Sequence, residues 1–562
     1  MEGGSFTTLK ITPRKVLNAL GGYFLLSIFI FFVIRPIFMV FLKSFEAKGG
    51  GFSLYSWYKF FSFPGLVKLI PNSLGVGLFT ATLTVFLAML ISYTIVKTDV
   101  PLRGFFRIVS LMPLVAPPFI IPFSMLLLFG RSGLLTKQLL GLEVSVYGFW
   151  GMVIALLFTY LPYAIIVMIG TFQSLDVAIE QSARSLGASP FTTFRTVTFN
   201  LLKPGILGAF TIVFFLSLTD FATPLILQGS FRVLATEAYF SILSDPSLRM
   251  GSVISIILFA ICASANILGR RWLGKVSYTT VTGKGEFREL SKGSSPYVKW
   301  PLFVICLGVC IFILLVYGNI VVNAFSKLPG YDYTFTLENF KLRQVSGAAT
   351  AQGGIVMLRN SVFAATIAGL SGALLSAATA YLVVRGTFPG KALLDQAALS
   401  TFAVPGALLG IGYILAFNKP PLALTGTAAI VILCMIFQKL PLAYQSVKAS
   451  LMQIDQSIEQ ASRSLGAGRF TTFSRIVLPL VGTGFTGGLL FAFIAAVNTV
   501  SAVIFLVTSE FPLASVEVLL ETNEPVVNTG VALATLLMAI SFLAFAIIGI
   551  IAKKSGSSAI KF

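Results

Sequence analysis

Long apolar runs separated by short polar joints set the pattern of this chain. They lie near residues 16–42, 71–96, 105–130, 146–171, 200–227 and 250–269, and again near 300–325, 359–385, 393–417, 423–449, 479–507 and 527–552. A membrane-crossing helix needs about 20 mostly apolar residues, because hydrocarbon offers nothing to pair with backbone N–H and C=O groups. The pattern therefore predicts an all-α, polytopic membrane protein of about twelve crossing helices. They form two six-helix repeats, 1–272 and 299–562, joined by a linker rich in Gly, Ser and Lys at 273–298. Six crossings return the chain to its starting side, so the repeats run parallel, related by a pseudo-two-fold axis along the membrane normal. The seam between them is the expected pathway.

The polar joints show that the chain is built twice. EQSARSLGASPFTTF, from Glu180 to Phe194, returns as EQASRSLGAGRFTTF from Glu459 to Phe473, and Leu161-Pro162 and Leu440-Pro441 precede the two copies equivalently. A period near 280 residues is too long for a solenoid and indicates duplication of a whole domain. Asn72-Ser73, Tyr93, Pro101 and Pro117 recur as Asn360-Ser361, Tyr381, Pro389 and Pro405, all at an offset of 288. The copied segments are offset by 279, so the loop between the third and fourth spans is nine residues longer in the first half. FSLYSW at Phe52–Trp57 and FTLENF at Phe335–Phe340 are a second related pair, expected as outer elements that meet a partner or cap the bundle.

Within the first copy, Asp176 is a helix N-cap candidate, and Ile179, Ala183 and Leu186 then share one face. Gly187 can adopt a left-handed conformation and end that helix, after which Phe191 and Phe194 lie on a second, short one. The spacing predicts a helix–turn–helix across the mouth of each half, near 176–203 and 455–482.

Composition supports the membrane assignment: 56% of residues are hydrophobic, 11% are charged and mean hydropathy is +0.92. The net charge of +20 would suggest nucleic acid in a soluble protein. Here Lys97, Arg103, Arg107, Arg184, Arg195, Lys203, Arg270, Arg385, Arg463 and Arg475 fall on one predicted side, as the positive-inside rule asks of cytoplasmic joints. Both termini are then cytoplasmic, the N-terminus carrying Lys10, Arg14 and Lys15. Lys43, Lys48, Lys59 and Lys68 fall on the opposite side, against the rule. The four cysteines lie in apolar runs and read as small hydrophobes, and the absence of histidine excludes an imidazole metal site. No GxxxxGK[ST] cradle for ATP phosphates occurs, so any hydrolysis belongs to another chain.

Polar residues in apolar runs are the pathway candidates. Asp220, near the outer end of the fifth span, either serves the pathway or reaches interfacial water. Asn498, Thr499 and Ser501, in the corresponding part of the second half, either face the seam or bond helix to helix. Arg35 reaches a lipid headgroup, a neighbouring helix or an anionic substrate. Glu510, Glu517, Glu521 and Glu524 gather in the last outer loop, as cation-steering groups or as a solvated surface.

The repeated segment resembles the EAA loop of ABC importer permeases: Glu459, Ala461, Gly466, Ile476, Leu478 and Pro479 match the family's pattern. The first copy keeps Glu180 and Gly187 but has Ser182 for an alanine and Phe199-Asn200 for Leu-Pro. The two-times-six arrangement is most similar to ferric-iron permeases. The resemblance implies a type I importer fold in which each loop forms a coupling helix docked on an ATP-hydrolysing subunit. The expected coupling residues are Glu180, Ala183, Gly187, Ala188 and Phe191, with Glu459, Ala461, Gly466, Ala467 and Phe470. It also implies one such chain per complex, two ATPase subunits holding ATP and Mg, an extracytoplasmic binding protein, no nucleic acid, and no cofactor, metal or catalytic site on this chain. Ferric iron is the first expected cargo and a phosphorylated or phosphonate compound the second. An ion-coupled secondary transporter and a membrane scaffold are the readings from other classes; both leave the doubled motif without a role in transport.

Overall fold

The structure, a computed structural model, describes residues 13–143, 145–245, 247–275, 295–342, 353–401, 404–524 and 526–554. Lys10 and most of the expected linker, 276–294, lie outside the described residues. Among the described residues ten helices are long and apolar enough to cross a membrane, or eleven if Phe473–Leu480 and Gly484–Val497, bent by 75°, form one span. The difference from twelve arises at the ninth run, which is split into Lys391–Ser400 and Gly406–Ala416. Its counterpart, the third run, is also broken: Arg103–Leu111 ends in the 3-10 turn Met112–Leu114, and Ile120–Phe129 resumes beyond Pro117 and Pro118. Proline has no N–H to donate and its ring clashes with the preceding turn. The offset joining Pro117 to Pro405 thus joins two helix breaks.

The first span of each half packs on the other half. Pro13–Phe29, the π-turn Ile30–Ile34 and Arg35–Ser44 lie against the ninth and tenth segments. Phe32 stacks on Phe437 at 5.1 Å, Phe29 meets the same ring edge-on at 5.9 Å, and Tyr23 meets Phe388 at 6.0 Å. A Cβ on Gly412 would lie 2.7 Å from the Pro36 carbonyl oxygen, so glycine is what lets these two helices meet. The seventh span, Pro296–Ala324, mirrors this arrangement on the first half. Phe312 stacks on Phe158 at 4.1 Å, Phe303 meets Phe106 at 5.6 Å, and Asn319 Nδ2 donates to Ser124 Oγ at 2.9 Å. Arg35 faces a neighbouring helix, its guanidinium over the rings of Phe31 (4.8 Å) and Phe417 (5.4 Å).

The related stretches after each first span fold alike. Phe45 stacks on Phe52 and Trp57, both at 5.5 Å. In the second half Phe325 stacks on Phe335 at 5.8 Å and tilts against Phe340 at 4.8 Å, closing the antiparallel hairpin Ser326–Leu328 and Asp332–Phe335. The repeated Asn-Ser pair also has a structural task. Asn72 Nδ2 donates to the Arg232 carbonyl at 2.9 Å while Ser73 Oγ accepts the Leu234 N–H at 2.9 Å. Asn360 and Ser361 do the same to the Pro512 carbonyl and the Ala514 N–H, at 3.2 and 2.9 Å. Each pair thereby holds the short helix that precedes the last span of its half, Leu234–Ser244 or Ala514–Glu521.

Candidate functional site

In both copies of the repeated segment, a nine-residue helix is followed by a glycine turn and a one-turn helix. Asp176 caps Val177–Ser185 by accepting the Ala178 N–H at 2.8 Å, as its position predicts. In the second copy Asp455 accepts the Ser457 N–H at 2.9 Å before Gln456–Ser464, and that bond holds its carboxyl below the ordinary aspartate range. Gly187 and Gly466 sit at φ +88° and +83°, where an L side chain is strained. The amides just beyond them close the helices, Ala188 N to the Ala183 carbonyl and Ala467 N to the Ser462 carbonyl, each at 3.1 Å.

The two glutamates turn inward, onto the end of the second span of their half. Lys97 Nζ and Thr198 Oγ1 both reach Glu180, each at 2.8 Å. Arg385 Nε donates to Glu459 Oε1 at 2.7 Å and Tyr381 OH to Oε2 at 3.2 Å, with the Glu459 side chain only 4% exposed. The Arg385 guanidinium also donates to the Leu451 and Ile454 carbonyls, at 3.2 and 2.5 Å, at the end of the tenth span. Aromatic contacts repeat the symmetry, Tyr93 on Phe194 at 5.9 Å and Tyr381 on Phe473 at 5.1 Å. Lys97 and Arg385 share the offset of 288 with the other pairs; that offset was the signal that they had more to do than anchor a joint.

Large apolar side chains stand on the outward surface among polar ones. Leu186 and Leu465, beside the glycines, are 90% and 88% exposed, and Phe191 is 73% exposed. Ala183 and Ala188 are half-buried, as is Ala467, whereas Ala461 is exposed; Phe470 lies on the one-turn helix Arg469–Thr472. The copies differ inside: Ser462 is buried and hydrogen-bonded to Thr472 at 3.0 Å. Ala183 stands at that place in the first copy, and Thr193 Oγ1 there is buried without a partner.

The four pathway candidates are bonded within their own halves. Asp220 ends the fifth span, Phe199–Thr219, accepting from Tyr160 OH and from the Thr223 N–H, each at 2.9 Å. Asn498 Nδ2 donates to Ser541 Oγ at 2.9 Å, in the last span Asn528–Lys554. Thr499 Oγ1 donates to Gln438 Oε1 at 3.0 Å, and Gln438 Nε2 donates to Ser501 Oγ at 3.4 Å. Gln438 thus joins two of the candidates, a link that no local pattern announces. Beside them an aromatic contact crosses between halves: Phe505 meets Tyr239 at 5.6 Å and Phe221 at 6.4 Å. Among the described residues no group of three His, Cys, Asp or Glu side chains is arranged to hold a metal ion.

A duplicated bundle of membrane-crossing helices, closed at its seam by packing and carrying two pinned helix–turn–helix segments, is a transport permease. The chain belongs to the family of binding-protein-dependent transport system inner membrane components, which matches at residues 82–274 and 301–556. It is a multi-pass inner-membrane subunit and not an enzyme; the ATPase is separate, and a binding protein is a further partner of such systems. The chain is 33% identical over 524 residues to the putative ferric transport system permease protein FbpB 1 of Haemophilus influenzae, covering 90% of this chain and 81% of that one. It is 32% identical over 549 residues to the ferric transport system permease protein FbpB of Actinobacillus pleuropneumoniae, covering 95% and 78%. The molybdenum transport system permease protein ModB of Mycobacterium bovis is 32% identical over 168 residues, covering 29% and 62%.

Proposed function

We propose that this chain carries ferric iron across the inner membrane, receiving it from an extracytoplasmic binding protein and moving it by alternating access. The observation that carries the cargo is the similarity to ferric permeases along nine-tenths of the chain. One copy of the chain faces two ATPase subunits, one at each repeated segment. Both termini are cytoplasmic, which the basic residues gathered on the side of those segments support. Glu180 and Glu459 fix each segment to its own half, so a push received by the exposed Leu186, Phe191 and Leu465 moves a whole helical layer. Ala183, Ala188, Ala461 and Ala467 keep that surface low. Asp220, Asn498, Thr499 and Ser501 hold the pathway closed while their bonds within each half persist, and iron is gripped by the binding protein rather than by this chain.

In the reconstituted complex, iron-loaded binding protein is expected to stimulate ATP hydrolysis and drive uptake. Uptake that proceeds without nucleotide, or stimulation only by a phosphorylated or phosphonate ligand, would overturn the mechanism or the cargo respectively. The turns give a second test. A Cβ at Gly187 or Gly466 would meet nothing within 4 Å, so a β-branched side chain there acts chiefly through the cost of a left-handed backbone, about 1–2 kcal/mol per copy. The double variant Gly187→Val, Gly466→Val is expected to insert normally yet hydrolyse ATP without coupled uptake; fully coupled uptake would refute the coupling role.

A further inference from the structure

The segment between the first span, which ends at Ser44, and the second, Leu69–Lys97, is short and tethered at both ends to membrane-crossing helices. Both tethers keep it close to the bilayer surface on one side. Within it the helix Tyr55–Ser62 has one face committed to the protein: Phe60 is fully buried, and the Trp57 indole N–H donates to Ser44 Oγ at 3.3 Å. At helical spacing the opposite face carries Tyr55, Tyr58 and Phe61, which are 60%, 70% and 57% exposed. Phe52, Leu54 and Phe63 flank it, equally open. Exposed aromatic surface of this extent has no reason to face water.

The four lysines that depart from the positive-inside pattern stand in or beside the same segment. Lys43 is paired with Glu46 at 2.7 Å and Lys59 interacts electrostatically with Asp245, whereas Lys48 and Lys68 have no ion-pair partner among the described residues. An amphipathic helix with aromatics on its free face and lysines around them fits the boundary between headgroups and acyl chains, where rings sit at carbonyl level and ammonium groups reach phosphate. The sequence of the second half differs past its aromatic clasp, with Lys341, Leu342 and Arg343 after Phe340 where Tyr58, Lys59 and Phe60 follow Trp57.

We infer that residues 52–63 are seated in the outer leaflet, the exposed rings among the acyl carbonyls and Lys48, Lys59 and Lys68 on the phosphates of anionic phospholipid. Which leaflet it occupies rests on the topology proposed above; contact with lipid does not. The free aromatic face and the lysines set around it favour this over docking of the binding protein, because a membrane surface supplies both apolar depth and anionic charge.

Nitroxide labels at Tyr58→Cys and Phe61→Cys, in the full chain in nanodiscs containing phosphatidylglycerol, test the seat. The four native cysteines are buried. Oxygen accessibility exceeding that of a water-soluble nickel chelate is the expected result, as for a label at Phe363→Cys, which is 54% exposed on the membrane-crossing helix Gly354–Arg385. Water-like accessibility at both positions would overturn it, as would protection that appears only when binding protein is added. In the triple variant Lys48→Gln, Lys59→Gln, Lys68→Gln, co-purifying phosphatidylglycerol is expected to fall about five-fold or more; unchanged retention would overturn the phosphate contacts. Labelling of Lys59→Cys by an impermeant thiol reagent only from the cytoplasmic side would overturn the outer-leaflet assignment together with the topology, while leaving the lipid accessibility result to stand.

Discussion

Replacing Arg385 with alanine is expected to loosen the second repeated segment by about 3–5 kcal/mol, because it breaks a buried ion pair with Glu459. The change removes more than the ion pair, since the same guanidinium holds two carbonyls at the end of the tenth span. Hydrogen exchange over Gln456–Ser464 should accelerate on the order of a hundred-fold, with little change over Val177–Ser185. Lys97→Ala should have the smaller effect, because the Glu180 carboxylate is more open to water, at 14% against 4%. Arg385→Lys keeps the charge but not the three-way bonding, and should fall between wild type and alanine. Equal exchange in the wild type and Arg385→Ala would show that the glutamate does not pin the segment.

The second large effect concerns pH. Arg232 binds Glu237 through two guanidinium nitrogens in the first half, but the matching position before Glu517 is Pro512. Glu517 is therefore buried with no cation supplied by that position, and Glu521 one turn later is 3% exposed. Burial pushes the Glu521 carboxyl up to about 7, helped by Glu517 and Glu524 and opposed by the Gly530 N–H that donates to it. The fold thus prefers this group protonated. Its contribution is present in full below about pH 4.5, the ordinary glutamate value, and is lost as pH rises through about 7. The span between those values corresponds to about 3 kcal/mol. Glu521→Gln keeps the acceptor for Gly530 and cannot ionise, so it should match wild type at pH 5 and resist thermal unfolding better at pH 8. Equal stability of the two proteins at pH 8 would refute the account.

Much of this was legible along the chain because it is local or periodic. Apolar run length announces a crossing helix, Asp176 announces a cap, and a glycine past the last apolar position announces a left-handed turn; each depends on neighbours a few residues away. The ninth run passed as a span because hydropathy sums residues without regard to the break at Pro405. The inward turn of Glu180 and Glu459 escaped because it depends on partners 83 and 74 residues away. Gln438 escaped for the same reason: its bonds to Thr499 and Ser501 cross 61 and 63 residues, and no periodicity marks them. The duplication itself is the remedy, since a position that recurs at the common offset, as Lys97 does in Arg385, is held by a contact both halves need.

The exchange of first spans bears on how the protein is made. When the first six helices have left the ribosome, Phe29 and Phe32 still lack the ring they pack on, because Phe437 is some four hundred residues behind them. Arg35–Ser44 already meets the sixth span, Arg249–Lys275, but the aromatic part of the earliest helix completes its packing only when the tenth span arrives. Maturation is therefore a threading of two partners through each other, and the finished halves cannot part without each surrendering a helix.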